Sequence, residues 1–195
     1  MLITVTGGSG SGKSEFAEKT AVSLSGKGKP SAGSLKAEEK GDSCGELVYL
    51  ATMAPLGSEA QERIQRHLRL REGKGFVTIE KSSGLALLDP EEIRGKTVLL
   101  EDLSNLVSGE MFLPDGSRRM PEEVIHRVLE GIRFLLADAE NLVIVMNEIF
   151  SDGRTYGDST EDFIRTLGYL NRKLALRADE AYEVVYGIPV RLRQQ

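Results

Sequence analysis

Residues 1–22 read MLITVTGGSGSGKSEFAEKTAV, and the Gly-rich centre, GGSGSGKS over residues 7–14, has two readings: a flexible linker or a loop that grips phosphate. The flanks decide between them. Residues 2–6, LITVT, are a short apolar, β-branched run of the kind that forms a buried strand. From Glu15 onward, Phe16, Ala17, Thr20, Ala21 and Leu24 recur at the three- and four-residue spacing of a helix. A linker has no reason to be bracketed by a core strand and a helix. The spacing Gly7-x4-Gly12-Lys13-Ser14 completes the P-loop pattern.

Each position in that pattern has a physical task. Gly7, Gly8, Gly10 and Gly12 permit positive φ and omit Cβ atoms, so their amides, with those of Ser9 and Ser11, can converge on an anion. The helix beginning near Gly12 points free N–H groups and the positive end of its dipole at the same spot. Lys13 is expected to reach the β- and γ-phosphates as a catalytic cation, and the Ser14 hydroxyl to bind Mg²⁺.

At 195 residues the chain reads as a single P-loop nucleotide-binding domain, long enough to bury a substantial core. The one cysteine, Cys44, excludes an internal disulfide and any Cys-rich metal site. Residues 2–6 are too short for a signal peptide, and no apolar run approaches the ~20 residues of a membrane span. A cytoplasmic enzyme is the expected setting. A net charge of −5 argues against a nucleic-acid partner held by global charge.

Along the chain, residues 25–45 (SGKGKPSAGSLKAEEKGDSCG) lack apolar periodicity and read as a flexible loop. ELVYLATM (residues 46–53), TVLLED (97–102) and NLVIVMNE (141–148) are near-continuous apolar runs. Separated by helical segments, they indicate strands buried on both faces of a mainly parallel sheet. FVTIEK adds a short strand near Phe76, and AYEVVYGIPVRLR reads as one or two final strands, with room for an antiparallel one. MPEEVIHRVLEGIRFLLADAE is an amphipathic helix whose stripe is Val124, Ile125, Val128, Leu129, Ile132, Leu135 and Leu136. His126 falls on its polar side, as a solvated residue. The predicted fold class is α/β, a central parallel sheet flanked by helices.

Ligands of parallel α/β sheets sit beyond the carboxyl ends of the strands. Glu101 and Asp102 lie at one such end, where a Walker B strand reaches Mg²⁺, and both are candidate metal ligands. Asn147 and Glu148 lie at another. Acids also end strands as turn formers or N-caps, and the sequence does not choose between the two carboxylates.

The stretch SEAQERIQRHLRLREG opens with a capping box, Ser58 and Gln61, and places Arg63, His67 and Arg71 on one stripe at i, i+4 and i+8. Like charges at that spacing disfavour an isolated helix by a few tenths of a kcal/mol per pair. The stripe makes physical sense facing phosphate oxygens.

In order along the chain, TGGSGSGKSEFAE, YLATM, ERIQRHLRLRE, VLLEDLSNLVSGEMF, VMNE and LGYLNRKLALRADEAYEVVYGIPVRLR resemble the bifunctional adenosylcobinamide kinase/adenosylcobinamide-phosphate guanylyltransferase family of cobalamin biosynthesis. The most telling elements are Arg-Ile-x-x-His-x-x-x-Arg over residues 63–71 and the C-terminal ADEAYEVVYGIPV. The resemblance implies a RecA-like P-loop fold, a homotrimer, Mg²⁺ as cofactor, and ATP or GTP and a corrinoid as substrates. It implies two reactions: phosphorylation of the adenosylcobinamide hydroxyl, then transfer of GMP from GTP through a histidine–GMP intermediate. His67 matches the catalytic histidine, and Arg63, Arg71, Glu80 and Glu101 join the nucleotide-binding residues. A neutral imidazole near pH 7 is compatible with an ordinary histidine pKa of ~6.5. Flanking arginines discourage its protonation and stabilise charge growing on the α-phosphate.

Two other readings use the same P-loop: a kinase for another small alcohol without guanylyl transfer, and a nucleotide-dependent switch or ATPase. A switch calls for partner-binding surface that a compact chain of this length leaves little room for.

Overall fold

The computed structural model describes residues 1–26, 46–53, 73–150, 153–154 and 156–194. Arg63, His67, Arg71, Cys44 and nearly all of the predicted 25–45 loop lie outside the described residues.

Among the described residues, seven strands form one sheet in the order β3-β2-β4-β5-β1-β6-β7. The strands are β1 (Leu2–Gly7), β2 (Leu47–Ala51), β3 (Phe76–Glu80), β4 (Thr97–Glu101), β5 (Asn141–Asn147), β6 (Glu180–Val185) and β7 (Ile188–Gln194). All neighbouring pairs are parallel except β6–β7, an antiparallel hairpin. Four α-helices accompany them among the described residues: α1 (Lys13–Leu24), α2 (Leu103–Met111), α3 (Pro121–Asp138) and α4 (Asp158–Arg177). None of them is long and apolar enough to cross a membrane.

Period-two alternation sends the strand residues to two cores. Val48, Leu50, Val98, Leu100, Leu142 and Ile144 face one side, where α2, α3 and α4 contribute Leu106, Val128, Ile132, Leu135, Leu170 and Leu174. Ile3, Val5, Tyr49, Leu99, Val143 and Val145 face the other, packed on Ala17 and Ala21 of α1. Burial on both faces is why these strands read as unbroken apolar runs. The predicted stripe of α3 splits by degree. Val124, Val128, Ile132 and Leu135 are fully buried, whereas Ile125, Leu129 and Leu136 pack at the margin. His126 is solvated, its side chain 72% exposed.

Two buried carboxylates tie peripheral segments to this frame through ion pairs. Glu18 of α1, 3% exposed, pairs with Lys74 just before β3. Glu110, near the end of α2 and 1% exposed, accepts from Arg127 Nε at 2.6 Å and from the Gly84 amide at 2.6 Å, with Arg119 also beside it. The segment after β3 is thereby fastened to α2 and α3. Gly109 admits it: a Cβ there would meet the Ser82 carbonyl oxygen at 2.2 Å.

Parallel pairing brings the carboxyl ends of the strands to one edge. Gly7 pairs with Asn147, while Ala51 sits between Glu80 and Glu101 in one row. The P-loop, the β4 acids and the ends of β2, β3 and β5 therefore share that edge.

Candidate active site

The loop of residues 8–12 leaves β1 at Gly7 and enters α1 at Lys13. Gly12, the N-cap, has φ +91, in the left-handed region that glycine favours. Gly7 has no room for a side chain, because a Cβ would lie 2.5 Å from Ser11 Oγ and 2.7 Å from the Val184 carbonyl oxygen. Lys13 is 8% exposed and donates from Nζ to the Gly8 carbonyl at 3.1 Å, so the lysine folds back across its own loop.

Ser14 Oγ donates to Glu101 Oε1 at 2.7 Å. This hydrogen bond joins the start of α1 to the end of β4, across β5 in the strand order. The other carboxylate oxygen, Glu101 Oε2, is buried with no hydrogen-bond partner. Burial pushes the Glu101 carboxyl up from 4.5 to about 7; the Ser14 hydroxyl opposes the rise, Asp102 adds to it, Lys13 opposes it and Glu18 adds to it.

An unpartnered buried carboxylate oxygen beside a serine hydroxyl fits Mg²⁺. Among the described residues no group of three or more His, Cys, Asp or Glu side chains converges as a protein-only metal site. Mg²⁺ does not need one, since it is held by one or two protein ligands together with water and substrate phosphates. Ser14 and Glu101 are the residues that would hold it.

Asp102 is placed differently from its neighbour. Its Oδ1 accepts from the Asn105 amide at 2.8 Å, capping α2, and from Ser104 Oγ, while its Oδ2 accepts from Asn147 Nδ2 at 2.9 Å. Both oxygens are thus engaged by protein donors, and Glu101 alone of the pair meets Ser14. Thr52 of the YLATM stretch explains the close approach of β2, because its hydroxyl donates to the Asp102 carbonyl at 2.8 Å and its amide to that of Glu101 at 3.2 Å. Asn147 Nδ2 also donates to Ser104 Oγ at 2.6 Å, and the Asn147 backbone carbonyl accepts from Asn171 Nδ2 at 3.1 Å. Its side chain and carbonyl together brace the edge of the site. The Glu148 amide donates to the Gly7 carbonyl at 3.1 Å, and its carboxylate accepts from Phe150 N at 2.9 Å. Glu80 ends β3 at the same edge, exposed.

One contact of the loop escaped the sequence reading. The Gly187 amide, in the turn between β6 and β7, donates to the Ser11 carbonyl at 2.8 Å. The P-loop is therefore clamped by the C-terminal hairpin.

The Glu101 shift sets a pH-dependent stability. Below pH 4.5 neither the folded nor the unfolded chain ionises this group, and its favourable contribution is fully present. That contribution is lost as pH rises through about 7, where the folded chain must carry a buried charge costing about 3 kcal/mol. Glu101→Gln, which imitates the protonated acid, is therefore expected to be more stable than wild type at pH 8. The gain should shrink as pH falls through 7 toward 4.5. Urea unfolding of both proteins in chelator at pH 8, 6 and 4 checks this, and a pH-independent difference would contradict it.

The family model described as cobinamide kinase/cobinamide phosphate guanyltransferase matches residues 3–192. The chain is 29% identical over 205 residues to the bifunctional adenosylcobalamin biosynthesis protein CobU of Escherichia coli (strain K12), covering 99% of this chain and 100% of that protein. It is 28% identical over 203 residues to the CobU protein of Salmonella typhimurium, again with 99% and 100% coverage. Among solved structures, the flagellar accessory protein FlaH from Methanocaldococcus jannaschii is similar at TM-score 0.47 and 11% identity, covering 100% of this chain and 78% of that one. A match running from β1 to β7 over nearly the whole chain leaves one assignment: the chain belongs to the cobinamide kinase/cobinamide phosphate guanyltransferase family.

Proposed function

We propose that the protein carries out two successive transfers on a corrinoid. In the first, the aminopropanol hydroxyl of adenosylcobinamide attacks the γ-phosphorus of ATP or GTP. The new O–P bond forms as the bond to the β-phosphate oxygen breaks, and the nucleoside diphosphate leaves while the hydroxyl loses its proton. In the second, a neutral His67 nitrogen attacks the α-phosphorus of GTP and pyrophosphate leaves. A phosphate oxygen of adenosylcobinamide phosphate then takes the GMP, and the histidine is freed.

The observation that carries the reading is the joined pair Ser14–Glu101 beside a buried Lys13, on a chain of this family. Chemically, the P-loop amides and Lys13 hold the phosphates, and Lys13 offsets charge as the γ-phosphoryl group departs. Bound Mg²⁺ would supply further charge neutralisation between the phosphates. Burial of Lys13 and Glu101 keeps these interactions strong by excluding water. Arg63 and Arg71 flank His67 in sequence and serve the α-phosphate, and Glu80 contacts the nucleotide. The working form is a homotrimer. The apolar row Ile188, Val190 and Leu192 on edge strand β7, 46–66% exposed, supports self-association.

Incubation with α-labelled and γ-labelled GTP tests the reading. The α label should stay on the protein, and the γ label should pass to adenosylcobinamide. A γ label transferred with no α label ever retained would leave only a kinase.

A further inference from the structure

The β6–β7 turn raises a question that the reactions above do not answer. It has only two residues between Val185 and its partner Ile188, namely Tyr186 and Gly187, with φ +51 and +79. Positive φ at both positions is the type I′ geometry, where Asn, Asp and Gly are cheap and a bulky side chain is an outlier. Tyr186 gains nothing from burial in return, being 96% exposed. An aromatic ring is thus held in a costly conformation and presented to solvent.

Its location says what it is for. The turn is bonded to the phosphate loop through Gly187 N–Ser11 O, and Gly187 Cα would lie 3.2 Å from a Cβ on Gly12. The two ends of a nucleotide in that loop are distinguished by the sheet. Ser14 and Glu101, which mark the metal side of the phosphates, lie toward β5 and β4 on one flank of β1. β6 and β7 lie on the other flank. A nucleoside leaving the loop on the side away from the metal ligands would leave it toward the hairpin.

We propose that Tyr186 is the nucleobase-stacking residue of this site, taking the ring of the nucleoside triphosphate on its exposed face. The assignment rests on the reading of the P-loop as a nucleotide site. Stacking uses the π face that every base has, so it supports affinity for ATP and GTP alike and carries no choice between them.

The test separates base from phosphate. Tyr186→Asn puts a turn-favoured residue at positive φ, so it should fold and melt no lower than wild type. Calorimetric titration with Mg²⁺ should show ATP and GTP binding weakened on the order of 10-fold, as expected for loss of one base–aromatic stack. Inorganic tripolyphosphate should bind both proteins equally, and Tyr186→Phe should restore nucleotide affinity. Because the chain has no tryptophan, Tyr186→Trp supplies a single reporter, quenched by GTP and unaffected by tripolyphosphate. Equal weakening of tripolyphosphate would mean that the turn merely supports the loop, and would overturn the proposal. Unchanged nucleotide affinity, unquenched Tyr186→Trp at saturating GTP, or a changed association state with normal binding would do the same. Wild-type protein that binds GTP but never retains the α label would sink guanylyl transfer and leave this test standing.

Discussion

Wild-type protein incubated with GTP and Mg²⁺ gains the mass of one GMP and releases pyrophosphate, whereas His67→Ala gains nothing. This result is expected because a neutral imidazole combines nucleophilicity near pH 7 with a leaving tendency that lets the GMP move on. The bond formed is a phosphoramidate. Protonation of its nitrogen makes a good leaving group, so the adduct should be lost in acid and survive alkali. The γ-phosphoryl step uses Lys13 and Ser14 and no imidazole, so His67→Ala should still phosphorylate adenosylcobinamide. His126 is the internal control. Its side chain is 72% exposed on the polar face of α3, 4.0 Å from Glu130, and His126→Ala should change neither reaction. Intact mass spectrometry followed by peptide mapping reads all of this. An adduct persisting in His67→Ala, or mapping elsewhere, would remove the histidine from its role.

The sequence showed much of the frame because its chemistry is local. β1, β2, β4 and β5 announce themselves as apolar runs, and the glycines of residues 7–12 declare a loop that must bend where side chains do not fit. The strand ends shifted by a residue or two, as when Thr52 leaves β2 to bond the Asp102 carbonyl. Helices α2 and α4 were not singled out. The first is only nine residues long, and the second carries a narrow stripe of Thr166, Leu167, Leu170 and Leu174 among charged neighbours. At the site, sequence placed Glu101 and Asp102 together, but adjacent residues on a strand end point apart. One meets Ser14 and the other caps α2, as an acid before a helix often does. Contacts between distant segments stayed hidden. Nothing local marks Glu110 as the anchor of Gly84, Arg119 and Arg127, or the C-terminal turn as the clamp on Ser11.

Lys13→Ala should lower phosphoryl transfer to adenosylcobinamide by about 10²–10³-fold while leaving the fold intact. The loss has two sources that act together. The first is direct: the Lys13 ammonium is nearly buried, so its charge is little screened by water, and alanine offers nothing to the departing phosphates. The second runs through Glu101. Lys13 is one of the groups that hold the Glu101 carboxyl down against the effect of burial. Without it that carboxyl rises further above 7, and the acid beside Ser14 spends more of its time protonated at neutral pH, unsuited to a cation. The variant should therefore need higher Mg²⁺ than wild type and recover part of its activity as pH is raised. Folding has little to lose, since alanine is a strong helix former at the first position of α1 and the Gly8 carbonyl can turn to water. Steady-state rates across Mg²⁺ concentration and pH, with thermal unfolding alongside, measure each part. Wild-type turnover in Lys13→Ala would sink the P-loop assignment. A deep loss with no dependence on Mg²⁺ or pH would confine Lys13 to the phosphates and sever its link to Glu101.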